Sequence, residues 1–124
     1  MMPRVLPEDE TDTRPLDLAA MREAAARLLA EGAIPPGDED LETLRRQLRG
    51  HAWLLLPVVE REARQLPEQD RARRSALACV AMSCMELRVG QGDNRILRVS
   101  VVTRLARSVR TLCDHVDLLK GATL

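Results

Sequence analysis

The stretch from Leu41 to Leu66, LETLRRQLRGHAWLLLPVVEREARQL, constrains the fold more than any other part of the chain. Leu41, Leu44, Leu48, Ala52, Leu55, Val59 and Leu66 recur at spacings of three, four and seven, which a 3.6-residue period gathers onto one face of a helix. Between Ala52 and Val59 the run AWLLLPVV is apolar all round, so a helix turning its back to water there would expose Trp53 and Leu54. That helix needs cover on more than one side. Pro57 lacks an amide hydrogen and its ring crowds the carbonyl of Trp53, which predicts a kink costing roughly 3 kcal/mol unless packing compensates. Gly50 adds about 1 kcal/mol relative to alanine in a helix interior. Together they predict a bent second helix whose glycine admits a neighbouring helix closely; the alternative is that Gly50 and Pro57 open carbonyls or space for a ligand.

Around this element the chain reads as four helices. Residues 1–14 carry Glu8, Asp9, Glu10 and Asp12 between prolines, a composition expected to form a flexible acidic leader, and 15–124 are expected to form a single helical domain. Leu18, Met21, Ala25, Leu28 and Leu29 stripe a first helix that starts at Pro15 and ends at Gly32. The breaker AIPPGDED follows, with Asp38 or Asp40 expected to cap the second helix and its acids suiting the positive end of the helix dipole. After Leu66-Pro67, Asp70 is expected to cap a third helix running to about Val89. Its principal stripe is Leu77, Val80, Ala81, Cys84 and Leu87, and a second stripe is Ala78, Met82, Met85 and Val89. GQGDN breaks the chain again, with Asp93 or Asn94 as cap. Val102, Leu105, Val109, Leu112, Val116 and Leu119 then line a last helix closed by Gly121. Short loops between such helices predict an all-α, up-and-down four-helix bundle with a kinked second helix.

Composition narrows the function classes. Of the 19 basic residues 18 are arginine, and they face 19 acids, so the net charge favours neither nucleic acid nor a membrane surface. No run approaches the roughly 18 apolar residues of a membrane span, and no basic-then-apolar signal pattern opens the chain, so a cytoplasmic protein is expected. Cys79, Cys84 and Cys113 have no paired spacing and are expected to be buried thiols. Cys113-Asp114-His115 places three ligating residue types in a row, but on a helix they diverge by about 100° each, so no metal and no other cofactor is expected. Walker, GxGxxG and GxSxG patterns are absent, and no catalytic residue is assigned.

Three further groups stand out. His51 lies at the edge of the second helix's apolar face, where one hydrogen bond at a core boundary accounts for it and a catalytic or sensing role is the alternative. Arg104, Arg107 and Arg110 lie opposite the core stripe of the last helix, and Arg71, Arg73 and Arg74 open the third. They read as solvated faces, with Arg110 and Asp114 as an i, i+4 pair. A DNA-backbone contact is the weaker alternative.

Leu48-x-Gly50-His51, Leu54-Leu55-x-Pro57-x-Val59-Glu60, Leu66-Pro67-x-x-Asp70-x-x-Arg73, Ala76-Leu77-Ala78 and Leu105-Ala106-Arg107-Ser108 through Leu112-Cys113-Asp114-His115 resemble a family of small actinomycete proteins described as natural product biosynthesis proteins of unknown function. The resemblance covers about residues 48 to 115. It implies an association with secondary metabolism and no particular reaction. It also draws attention to Gly50, His51, Pro57, Cys113, Asp114 and His115, which lie in its best-matching segments. Where a basic run is expected before Leu87, this chain has Met82, Cys84 and Met85.

The leading expectation is therefore a non-catalytic accessory or regulatory protein that binds a protein partner, foremost a second copy of itself, through Trp53, Leu54, Met82, Met85 and Val89. A small enzyme or small-molecule binder with a pocket near Gly50, His51, Trp53, Pro57, Cys113 and His115 is the alternative, and a DNA-binding regulator comes third.

Overall fold

The computed structural model describes residues 16–122, so the expected acidic leader lies outside the described residues. Four helices follow in order: α1 (Leu18–Leu29), α2 (Asp38–Arg64), α3 (Arg71–Arg88) and α4 (Arg95–Ala122). The fold is all-α, with four helices as the apolar periodicity predicts.

Helix directions follow from the ion pairs and hydrogen bonds that tie their ends. Asp38 meets Arg95 at 2.7 Å and Arg98 at 3.5 Å, which sets the starts of α2 and α4 side by side and makes those two helices parallel. Arg22 near the start of α1 reaches Asp114 at 3.1 Å and Asp117 at 2.7 Å near the end of α4, so α1 runs against α4. Arg49 donates to the Leu87 carbonyl at 2.8 Å, which sets the end of α3 beside the first half of α2. The chain thus alternates up and down. α2 and α4 pack against each other through the middle, α1 and α3 each lie against both, and α1 and α3 do not meet.

The core consists largely of the predicted stripes. Leu41, Leu44, Leu48, Ala52, Leu55 and Val59 of α2 are buried, and so are Val102, Leu105, Val109, Leu112, Cys113, Val116 and Leu119 of α4. Full burial of each Leu or Val side chain is worth about 1.5–3 kcal/mol, so these two rows dominate the favourable side of folding. Leu56 joins them, while Trp53, Leu54 and Val58 pack partly buried against the core and cover the back of α2.

α3 is rotated from its expected setting. Its buried row is Ala76, Val80, Ser83 and Leu87, while Leu77 and Cys84 flank it and Ala81 is exposed. This row turns towards α2 and α4 together and buries a serine hydroxyl among apolar side chains. The second apolar stripe of α3 is then left outside: Met82 is 57 %, Met85 62 % and Val89 44 % exposed.

The helix starts differ in how they are satisfied. Asp17 accepts from the Ala20 amide at 3.0 Å, Asp70 from Ala72 at 2.8 Å and Asn94 from Leu97 at 2.9 Å, each meeting one orphan donor of a first turn. α1 begins at Leu18, three residues beyond Pro15, because Asp17 supplies that cap. α2 has Gly37 at its cap and no side-chain cap bond. Asp38, Glu39 and Asp40 instead occupy its first turn, where they oppose the positive dipole end. Gly92 adopts φ +94°, and a Cβ there would come within 2.7 Å of the Leu97 Cβ, so the turn into α4 requires glycine.

Two expectations for α2 fare differently. The helix continues through Pro57 without interruption, and the bend predicted there is not confirmed. Gly50 admits no neighbouring helix, because it is exposed and nothing lies within 4 Å of where its Cβ would stand. Its glycine penalty is therefore uncompensated. Gly50→Ala should raise stability by about 1 kcal/mol, read as a higher urea midpoint with an unchanged slope. A lowered midpoint would show that this face of α2 is occupied.

Candidate functional site

Among the grooves formed where helices meet, one between the starts of α2 and α4 and one between α3 and α4 handle their charges in opposite ways. The first lies between the starts of α2 and α4, has a volume of about 240 Å³ and is lined by Asp38, Glu42, Arg45, Arg98 and their apolar neighbours. Here the charges answer each other. Arg45 holds Glu42 with two hydrogen bonds of 2.8 Å and Arg46 adds a third, which brings the Glu42 carboxyl down to about 2. The guanidinium of Arg95 likewise lowers Asp38. The groove is an electrostatic clasp between helix ends, with its charges already spent on one another.

The second groove runs between α3 and α4 and encloses about 470 Å³. Ala78, Cys79, Met82, Ser83 and Glu86 of α3 form one wall and Arg104, Arg107, Ser108 and Thr111 of α4 the other. Because these helices are antiparallel, Glu86 and Arg104 stand at one end and Ala78 and Thr111 at the other. Among the described residues Arg104, Arg107 and Glu86 take part in no ion pair or hydrogen bond through their side chains. Arg110 is unpaired as well: the expected partner Asp114 is taken by Arg22 from α1. Ser83 is only 1 % exposed, and its Oγ makes no hydrogen bond beyond a weak approach to the Cys79 thiol on its own helix. A buried hydroxyl left in that state costs about 1–3 kcal/mol. The hydroxyl does ease ionisation of Cys79, but burial outweighs it and raises the Cys79 thiol, which stays neutral.

Of the residues singled out in the sequence, Met82, Arg104 and Arg107 line the α3/α4 groove, whereas Gly50, His51, Trp53, Pro57, Cys113 and His115 line neither groove. His51 sits on α2, partly buried, with Nε2 shielded from solvent and without the hydrogen bond expected of it among the described residues. Burial lowers its pKa, against a small opposing effect of Asp17. Burial likewise lowers His115, opposed by Asp114. Cys113 is fully buried in the core, which pushes its thiol up to about 11 and makes it a small hydrophobe at neutral pH. Gly50 is exposed, and Trp53 and Pro57 are half-buried on α2. No hydrogen bond joins His51 to Cys113 or His115 among the described residues. Among those same residues no group of three or more His, Cys, Asp or Glu side chains is placed to hold a metal ion.

Sequence reasoning did not find the α3/α4 groove. Its one available signal was the interruption of an apolar helix pattern by Ser83, with Ser108 four residues after Arg104 on the partner helix.

The two histidines make stability depend on pH. A lowered folded pKa means that the unfolded chain takes up protons first as pH falls, so the stability from a neutral His51 is present above about 6.5 and lost as pH falls through the folded pKa. His51→Gln should therefore retain more of its neutral-pH stability in acid than the parent, and His115 should still contribute. Superimposable acid-unfolding curves for the two proteins would remove His51 from this role.

The bundle also answers to a known family. No curated protein and no solved structure matches the chain. A family of unknown function, DUF6415, matches residues 19–121, from the first turn of α1 to the end of α4. All four helices lie within that match except for Leu18 and Ala122 at the two ends, and the chain belongs to this family of unknown function.

Proposed function

We propose that this protein is a non-catalytic helical accessory or regulatory protein that works by protein–protein contact, with a second copy of itself docking on the outer face of α3. The association with natural product biosynthesis and the cytoplasmic setting belong to the same proposal; the first is supported by the motif resemblance over residues 48 to 115. No helix among the described residues is long and apolar enough to cross a membrane, which agrees with that setting.

The observation that carries the reading is the pair of rows on α3. The buried row, Ala76, Val80, Ser83 and Leu87, has 4-3-4 spacing, and the exposed row, Ala78, Met82, Met85 and Val89, repeats it two residues later on nearly the opposite side. Such spacing is the seam of a helix that packs against another helix. The outer row is the more apolar of the two, since the inner one contains a serine. Exposed apolar rows of this kind mark contact surfaces.

A second copy fits because 4-3-4 reads the same from either end. About a two-fold axis between Met82 and Met85, an antiparallel α3 pair sets Met82 against Met85 and Ala78 against Val89 of the other copy, large beside small at the ends. Flanking Glu86 and Arg88 then face the uncharged Cys79 and Ala81, so no like charges meet. About three turns of helix, from Ala78 to Val89, are short beside the ~800 Å² per partner of a standard interface, which makes the dimer weak and reversible. Methionines suit such a surface by adapting their shape. Trp53 and Leu54 pack against the core and contribute nothing to this contact.

Sedimentation velocity across rising concentration should show the chain mass giving way to twice that mass. Met85→Glu sets two carboxylates beside the axis and should hold the protein monomeric at every concentration, with helicity unchanged because Met85 is exposed. A parent protein that stays monomeric throughout would overturn the reading.

A further inference from the structure

We propose that the α3/α4 groove binds an amphipathic monoanion, a molecule with an acidic head and a short apolar tail. Its volume of about 470 Å³ lies in the range of small-molecule sites, which are mostly apolar with a few convergent polar groups. Ala78, Cys79 and Met82 supply the apolar wall, and the neutral Cys79 thiol belongs with it. Arg104 and Arg107 face them from α4, one helical turn apart and unpaired among the described residues. Glu86 is the one carboxylate lining the groove, so two guanidiniums leave a single positive charge in excess, which suits one negative charge.

Position along the groove orients the ligand. Glu86 and Arg104 share one end, so Arg104 is partly compensated there, whereas Arg107 lies towards the middle beside Ser83 and Ser108. An acidic head at Arg107 accepts the guanidinium's hydrogen bonds and also gives the Ser83 hydroxyl a stronger acceptor than the Cys79 thiol. The tail then runs towards Ala78 and Thr111, away from Glu86. Reaching Ser83 requires a side chain to move, and Met82, unbranched and mostly exposed on the same wall, is free to do so. Two features then find a use: a buried hydroxyl whose one weak neighbour is a thiol, and arginines left unpaired while the groove between the starts of α2 and α4 has paired its charges.

The site lies within one chain and does not depend on self-association. Ala78 and Met82 belong to both the groove wall and the proposed dimer row, so octanoate is titrated into the Met85→Glu variant, which leaves Arg104, Arg107 and Ser83 in place and lets the two proposals fail separately.

Octanoate is a suitable probe, with octylammonium as the control of equal chain length and opposite charge. Titration followed by backbone amide NMR should give saturable shifts at Ser83, Arg107 and Ser108 with octanoate and none with octylammonium. The double variant Arg104→Gln/Arg107→Gln, altered only at exposed positions, should keep its helicity and bind octanoate about tenfold or more weakly, the loss expected for one charge-assisted pair. Ser83→Ala should bind a few-fold more weakly. Equal binding of octylammonium, or an unchanged octanoate affinity in both variants, would overturn the assignment.

Discussion

The parallel contact between α2 and α4 is the constraint on which the rest of the molecule depends. Parallel neighbours cannot be joined by a short loop, so a helix must intervene to bring the chain back, and α3 is that helix. The contact is made by the two most regular apolar rows in the chain, Leu41 to Val59 and Val102 to Leu119, whose large members are almost wholly shielded from water. α1 and α3 fill the two flanks this pair leaves and never touch each other. Charge fixes the register at the ends: Asp38 clasps Arg95 and Arg98 where α2 and α4 begin, and Arg22 clasps Asp114 and Asp117 where α4 nears its end. These pairs are solvent-exposed and add little energy, but they disfavour a bundle slid by a turn.

Because the core is built mainly by α2 and α4, α3 has apolar surface to spare. Its inner row, Ala76, Val80, Ser83 and Leu87, closes against α2 and α4 with a serine buried in it. Its outer row is free for a purpose other than folding. In the proposed dimer, folding and recognition fall to opposite faces of one helix, offset by two residues in sequence. A substitution on the outer row should disturb association and leave the fold alone, whereas one on the inner row should do the reverse.

The helices and most of the core were legible in the sequence because a 3.6-residue period, a proline pair, and capping residues such as Asp70 and Asn94 are local signals. α2 and α4 have one apolar face each in their well-ordered rows, and every stripe residue assigned between Leu41 and Val59 is buried. α3 was harder to set because it is apolar on two sides: Ala81 and Ser83 could exchange places without disturbing the period, and only the neighbours decide which is buried. Partners across helices were not legible either. Asp114 had a plausible mate in Arg110 one turn away, yet it pairs with Arg22 from the other end of the chain. The α3/α4 groove depends on that same cross-helix register, so its one local signal, Ser83 within an apolar pattern, did not say what stood opposite it. Gly50 was misjudged for a related reason, since a glycine in an apolar segment reads equally as a close contact or as an exposed weak point.

The central claim is that α3 keeps its outer methionines for contact while the core keeps its own. Methionine methyl NMR tests this in one experiment, because Met21 is a core residue at 3 % exposure and Met82 and Met85 stand on the outer row at 57 % and 62 %. With methyl-labelled protein observed over a range of concentration, the Met82 and Met85 signals should move together as copies associate, while the Met21 signal stays fixed. Met82 and Met85 signals that hold the positions of freely exposed methionines at every concentration would contradict the account.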